Sequence, residues 1–125
     1  KMAAVLVTIP SSTSGFRIED SSITGTIQKV VSGTLYIDQI RIDNSNNSSA
    51  SYLKFYDIAT SGSATVGTTA PDYIFPVAGS GTIEFCMQPG AYFGSGIAFA
   101  CVTTPGTGGT TNPTNDVTVK ILYHS

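Results

Sequence analysis

The stretch "LYIDQIRI" (residues 35–42) holds four large aliphatic side chains whose spacing changes step midway: Leu35 and Ile37 share one parity, Ile40 and Ile42 the other. A strand sends alternate side chains to opposite faces, so a regular strand here buries two of the four and exposes two. One extra residue near Asp38 and Gln39, a β-bulge, puts all four on the core side. Alternation of the same kind runs outward from this segment in both directions. Val5, Val7 and Ile9 share a parity before Pro10, and residues 23–31 carry Thr and Val at β-favoured positions. Leu53 and Phe55 oppose Tyr52, Lys54 and Tyr56; Ile83, Phe85 and Met87 oppose Thr82, Glu84 and Cys86; Val117, Val119, Ile121 and Tyr123 close the chain. Residues 73–78 read as a strand, with Pro76 assigning it to an edge or a bulge, because proline has no amide to give to a ladder. No segment has the period of a long amphipathic helix. The pattern predicts an all-β, single-domain β-sandwich or jelly roll of about eight antiparallel strands over residues 1–125, with residues 1–10 as a first strand or an N-terminal arm.

A chain of 125 residues supports one core. Charged residues are 11% of it, against roughly 25% in ordinary soluble domains, and Ser and Thr supply the polarity. With a net charge of -2 and scattered Lys1, Arg17, Lys29, Arg41, Lys54 and Lys120, no basic stripe forms, which argues against nucleic acid as a partner. The longest apolar runs, residues 3–7 and 97–102, fall well below the roughly 18 residues of a membrane span, so no membrane partner is expected.

Between Asp57 and Asp72 the chain carries no charge at all. A connection that is polar yet uncharged suits burial against a neighbouring subunit, since hydroxyls and amides are easier to satisfy there than Lys or Glu. Val66 and Thr68 are candidate interface residues on this ground, as are Val5 and Val7 in the first apolar run. The sequence "DNSNNSSAS" (residues 43–51) is a turn by composition. "VGTTAPD" (66–72) and "GTTNPTND" (109–116) share G-T-T-x-P before a strand, which we read as common turn chemistry. Cys86 and Cys101 are either two small apolar side chains in adjacent strands or, if residues 82–87 and 97–103 pair as a hairpin, a cross-strand disulfide.

Chemistry-bearing motifs are sparse. His124, the one histidine, stands at the penultimate position and reads as a solvated tail residue without an orienting partner for catalysis. "PGTGGTT" lacks the Lys of a phosphate-binding loop. Asp43, Ser45 and Asn47 have calcium-loop spacing, but the sixth position is Ser48 and the twelfth Lys54. No catalytic residue, cofactor or metal is expected. Asn46 and Asn47 each begin an N-x-S sequon. Tyr92 and Phe93, between Gly90 and Gly94, read as loop aromatics and therefore as candidate binding residues.

Taken together, Y-L-K-F-Y-D, V-G-T-T-A-P, I-F-P-V, P-G-x-x-F-G-S-G-I and D-V-T-V-K-I resemble segments of small structural proteins of tailed bacteriophages, including phages of cyanobacteria. The resemblance spans about residues 35 to 123 and is carried by Tyr52, Phe55, Asp57, Gly67, Pro71, Pro76, Gly90, Gly96 and Val117. It implies a non-enzymatic virion protein assembled in the host cytoplasm, with the major capsid protein or other virion proteins as partners. A capsid decoration or cement protein is the leading expectation. Such proteins commonly sit on local threefold positions, which implies a homo-oligomer, a trimer first. The alternative is a carbohydrate- or receptor-binding module of a tail or fibre, using Tyr92, Phe93 and nearby Asn or Asp side chains.

Overall fold

The computed structural model of the chain describes residues 15–27 and 30–125. The arm at residues 1–10, with Val5 and Val7, lies outside the described residues. The strands are β1 (Gly15–Asp20), β2 (Val30–Ser32), β3 (Leu35–Asp43), β4 (Ser51–Asp57), β5 (Tyr73–Val77), β6 (Thr82–Phe93), β7 (Gly96–Val102) and β8 (Thr118–His124), with one 3-10 turn at Ser61–Ser63. They form two four-stranded antiparallel sheets, β1-β8-β3-β6 (sheet A) and β2-β7-β4-β5 (sheet B). The protein is a β-sandwich. Its pairing is nested: first strand with eighth, second with seventh, third with sixth, fourth with fifth.

The bulge falls where the change of parity puts it. Both ladders of β3 slip between Ile37 and Gln39, leaving Asp38 as the extra residue. Leu35, Ile37, Ile40 and Ile42 are all buried in consequence. They meet Leu53, Phe55, Ile97, Phe99 and Cys101 of sheet B in one core. Phe55 is its aromatic centre, edge-on to Phe75 at 5.6 Å and to Phe93 at 5.8 Å. Such pairs add about 0.5–1.5 kcal/mol each beyond the area they bury.

The alternate side chains of β4 do point away from this core, but not into water. Lys54, Tyr56, Ala98, Ala100 and Val102 on the outer face of sheet B are fully or almost fully buried. Loops cover them. Lys54 Nζ donates to the Gly109 carbonyl at 3.3 Å, and a Cβ on Gly25 would lie 3.1 Å from Val102. The two G-T-T-x-P loops meet over this face: a Cβ on Gly67, which holds φ +92°, would run into Thr110. The uncharged connection between β4 and β5 is thus covered in part by the chain's other long loop.

Several expectations are corrected. Among the described residues of 23–31, only Val30 and Val31 join a strand, β2. The segment crosses between sheets instead: Ile23 N donates to Val117 O at 3.3 Å beside sheet A, and Thr24 O accepts from Cys101 N at 2.8 Å on sheet B. A chain changing sheets within two residues cannot keep one ladder. β1, where the buried Ile18 stands between exposed Arg17 and Glu19 and is followed by the buried Asp20, carries too weak an apolar pattern to be expected. β6 and β7 do not form a hairpin, because they belong to different sheets. Cys86 is exposed on one and Cys101 buried in the other, both as free thiols, so no disulfide joins them. Burial pushes the Cys101 thiol up to about 12, against a backbone hydrogen bond at Tyr52. Pro76 lies in β5, an edge strand as expected.

Candidate functional site

Opposite the one extra residue of β3, strand β6 makes a longer excursion: Gln39 pairs with Cys86 and Ile37 with Ala91, so residues 87–90 face Asp38 alone. The Gln88–Pro89 peptide within it is cis. Gly90 brings the excursion back at φ +127°, with room for a Cβ only 3.0 Å from Tyr36 Cβ and 3.3 Å from Asp38 Oδ1. Positive φ is open to glycine at little cost. Paired irregularities of this kind bend a sheet and re-aim side chains, and they recur beside functional sites.

Four side chains are gathered there on the outer face of sheet A. Tyr36 pairs across the ladders with Tyr92 on one side and His124 on the other. The Tyr36 and His124 rings stack at 5.0 Å and 13°, whereas Tyr92 stands tilted by 58° with its centroid 5.5 Å from that of Tyr36. His124 Nδ1 lies 2.8 Å from Asp38 Oδ2. The bulge makes this contact possible, since a regular strand has no residue at that place. Tyr92 is 53% exposed, the most open large side chain of its class among those described.

This revises the reading of three residues. His124 is the last residue of β8, an interior strand of sheet A, and it has an orienting partner in Asp38. Tyr92 and Phe93 are strand residues, not loop residues, and alternate: Tyr92 faces outward and Phe93 is buried in the core. Phe93 accordingly presents no surface to a partner. Tyr36 and Asp38 were not foreseen as site residues, although the change of parity at Asp38 was their signal.

The second surface is the loop-covered side of sheet B. Residues 58–71 and 103–115 carry no charge. Among the described residues, the charged side chains of sheet B are Lys54, buried, and Asp57. Asp57 is turned into a backbone nest, accepting from the amides of Gly94 (2.9 Å), Ser95 (2.7 Å) and Gly96 (3.1 Å). Burial raises its carboxyl, but the three amides outweigh burial and hold the pKa below the usual value. Val66 is half-buried and Thr68 exposed on this side. Val66 lines a groove of about 380 Å³ with Thr26, Ile27 and Ala64. By contrast, Arg17, Glu19, Asp38, Arg41, Asp43, Glu84 and Lys120 all belong to sheet A. Arg17 pairs with Glu19, and Arg41 with Glu84 at 3.2 Å.

The turn at residues 43–51 locks the uncharged loops in place. Asn44 Nδ2 donates to the Ser49 and Ala78 carbonyls, Asn47 Nδ2 to Asn44 Oδ1 and the Asn115 carbonyl, and Ser51 Oγ to Asn44 Oδ1. Asn47 is buried, so of the two sequons only that of Asn46 is on the surface. Among the described residues no cluster of His, Cys, Asp and Glu has the makings of a metal site, and no helix is long and apolar enough to cross a membrane. Comparison of the chain with protein-family models, curated proteins and solved structures returns no match.

Proposed function

We propose that the protein is a non-enzymatic adhesion module of a virion, a decoration or cement protein that seats the loop-covered side of sheet B on the shell and turns sheet A outward. The observation that carries this reading is the segregation of charge. Ionic side chains concentrate on sheet A, whereas the Ser, Thr and Gly stretches 58–71 and 103–115 over sheet B have none, with Asp72 and Asp116 at their ends. Burying such a surface against another protein strips water from hydroxyls and amides that a partner backbone can satisfy, with no ion to neutralise. Self-association through the same side, as a trimer, fits the resemblance to small phage structural proteins.

We further infer from the nested pairing that the sandwich is wound as a jelly roll, an architecture used by capsid proteins and lectins alike. The reading is tested by co-sedimentation of the purified chain with shells of the virus that encodes it. Saturable pelleting supports it. A chain that remains in the supernatant with both intact and expanded shells, and stays monomeric at high concentration, overturns it.

A further inference from the structure

We propose that Tyr36, Asp38, Tyr92 and His124 form a binding site for a pyranose sugar displayed on a surface glycan. The inference does not rest on attachment to a shell, because it concerns the opposite face of the sandwich.

A solvent-facing sheet often carries cross-strand aromatic pairs for stability alone. Three features go beyond that. Tyr92 stands out in exposure: Ile74, Ile83 and Leu122 are each 36–38% exposed, and Tyr92 is 53%. Its tilt of 58° against the stacked Tyr36–His124 pair makes an open corner with aromatic surface on two sides. Polar atoms are fixed at the foot of that corner: the Asp38 contact occupies His124 Nδ1 and leaves Nε2 as the ring's other hydrogen-bonding atom, while the carboxylate has further lone pairs to offer. The whole depends on two facing irregularities of β3 and β6 and on Gly90 at positive φ, a more elaborate construction than a stabilising pair requires.

The chemistry selects the ligand. A pyranose has one face of C–H bonds that stacks on an aromatic ring and an edge of hydroxyls that both donate and accept. Tyr92 offers the ring, Asp38 offers an acceptor, and His124 offers a donor or an acceptor according to its tautomer. A small molecule bound by enclosure needs a concave cavity of a few hundred Å³. An open corner suits a sugar that projects from a larger glycan. An organic cation is the competing ligand for an aromatic pair beside a carboxylate. Arg17, Arg41 and Lys120 lie on the same face with Glu19 and Glu84 paired to the two arginines, and Asp38 is already engaged, so none of these carboxylates is left to draw a cation. Next along the strands, beyond the Gln39 and Leu122 pair, those cations border a depression of about 170 Å³ that can take a second sugar.

The test is a nuclear magnetic resonance titration of the isolated chain with methyl pyranosides, matching disaccharides and tetramethylammonium chloride, each to about 20 mM, a range that covers millimolar dissociation constants. The expected result is saturable shifts at residues 36, 38, 92 and 124 with at least one pyranoside, and tighter binding of its disaccharide. Tyr92→Ala should weaken binding about tenfold, near the worth of one aromatic contact. Tyr92→Phe should keep most of it, and Ile74→Ala, on the outer face of the other sheet, all of it. Unfolding midpoints of the variants separate lost binding from lost folding. No saccharide shift at the cluster, saccharide binding that Tyr92→Ala leaves intact, or binding of tetramethylammonium alone would each overturn the proposal.

Discussion

Two ionisable residues of β4, the buried Lys54 and the half-buried Asp57, sit three positions apart and have opposite energetics. Lys54 is a cation held by one backbone carbonyl at 3.3 Å, and desolvation lowers its pKa. Between that lowered value and the ordinary Lys value near ~10.4 the unfolded chain binds more protons than the folded one, so stability rises with pH across that window. We expect Lys54→Met to leave neutral-pH stability unchanged or increased and to abolish that rise, as read by urea unfolding from pH 7 upward. An unaltered pH slope in the variant would show that Lys54 is not its source. Asp57 behaves the other way. Its folded pKa is depressed, so its contribution is complete above the unfolded value of about 3.9 and is lost as pH falls through the lower folded value. Asp57→Ala strands three amides, and a loss of about 2 kcal/mol or more is expected at pH 7. A loss below about 0.5 kcal/mol, the range of ordinary surface changes, would mean the nest is already satisfied without it. The thiols divide in the same spirit: Cys86 should react with a maleimide in the native protein, and Cys101 only in denaturant. Two native-reactive thiols would contradict the burial of β7.

At the level of elements, β3 carries the fold and the site through one bulge. Gly90→Ala puts a methyl 3.0 Å from Tyr36 Cβ at φ +127° and should cost about 1–3 kcal/mol while disturbing the Tyr36–His124 stack, visible as shifted His124 ring resonances. A variant with wild-type stability and an unchanged imidazole spectrum would disprove the close approach. The bulge was legible because four aliphatic residues of mixed parity in one strand admit few other solutions. Sandwich architecture followed from alternation, and the edge position of β5 from Pro76. Less was legible wherever burial comes from above a sheet. Nothing in "YLKFYD" announces that both faces of β4 are covered, because the cover over Lys54 is supplied by Gly109, 55 residues away. The site was half visible: Tyr92 drew attention as an aromatic among glycines. His124 was discounted for its place near the chain end, though strand pairing sets its surroundings.

On the scale of the whole molecule, the sandwich has two unlike outer faces. Sheet A bears the ion pairs and the aromatic corner; sheet B is overlaid by loops of Ser, Thr, Gly and Pro locked through Asn44, Asn47 and Asn115. That division gives the adhesion proposal its orientation, with one side for the shell and the other for the surroundings. The most direct measurement adds charge to each side in turn. Thr68 and Thr114 are exposed on the loop side. Thr68→Lys with Thr114→Lys should reduce co-sedimentation with shells at least tenfold, since each buried unpaired charge costs several kcal/mol at an interface. Gln39→Lys with Glu84→Gln, a comparable change of charge on sheet A, should leave pelleting at the wild-type level. Loss of pelleting on the sheet A substitutions with retention on the loop-side pair would contradict the account, and would place the attachment surface on the ionic face.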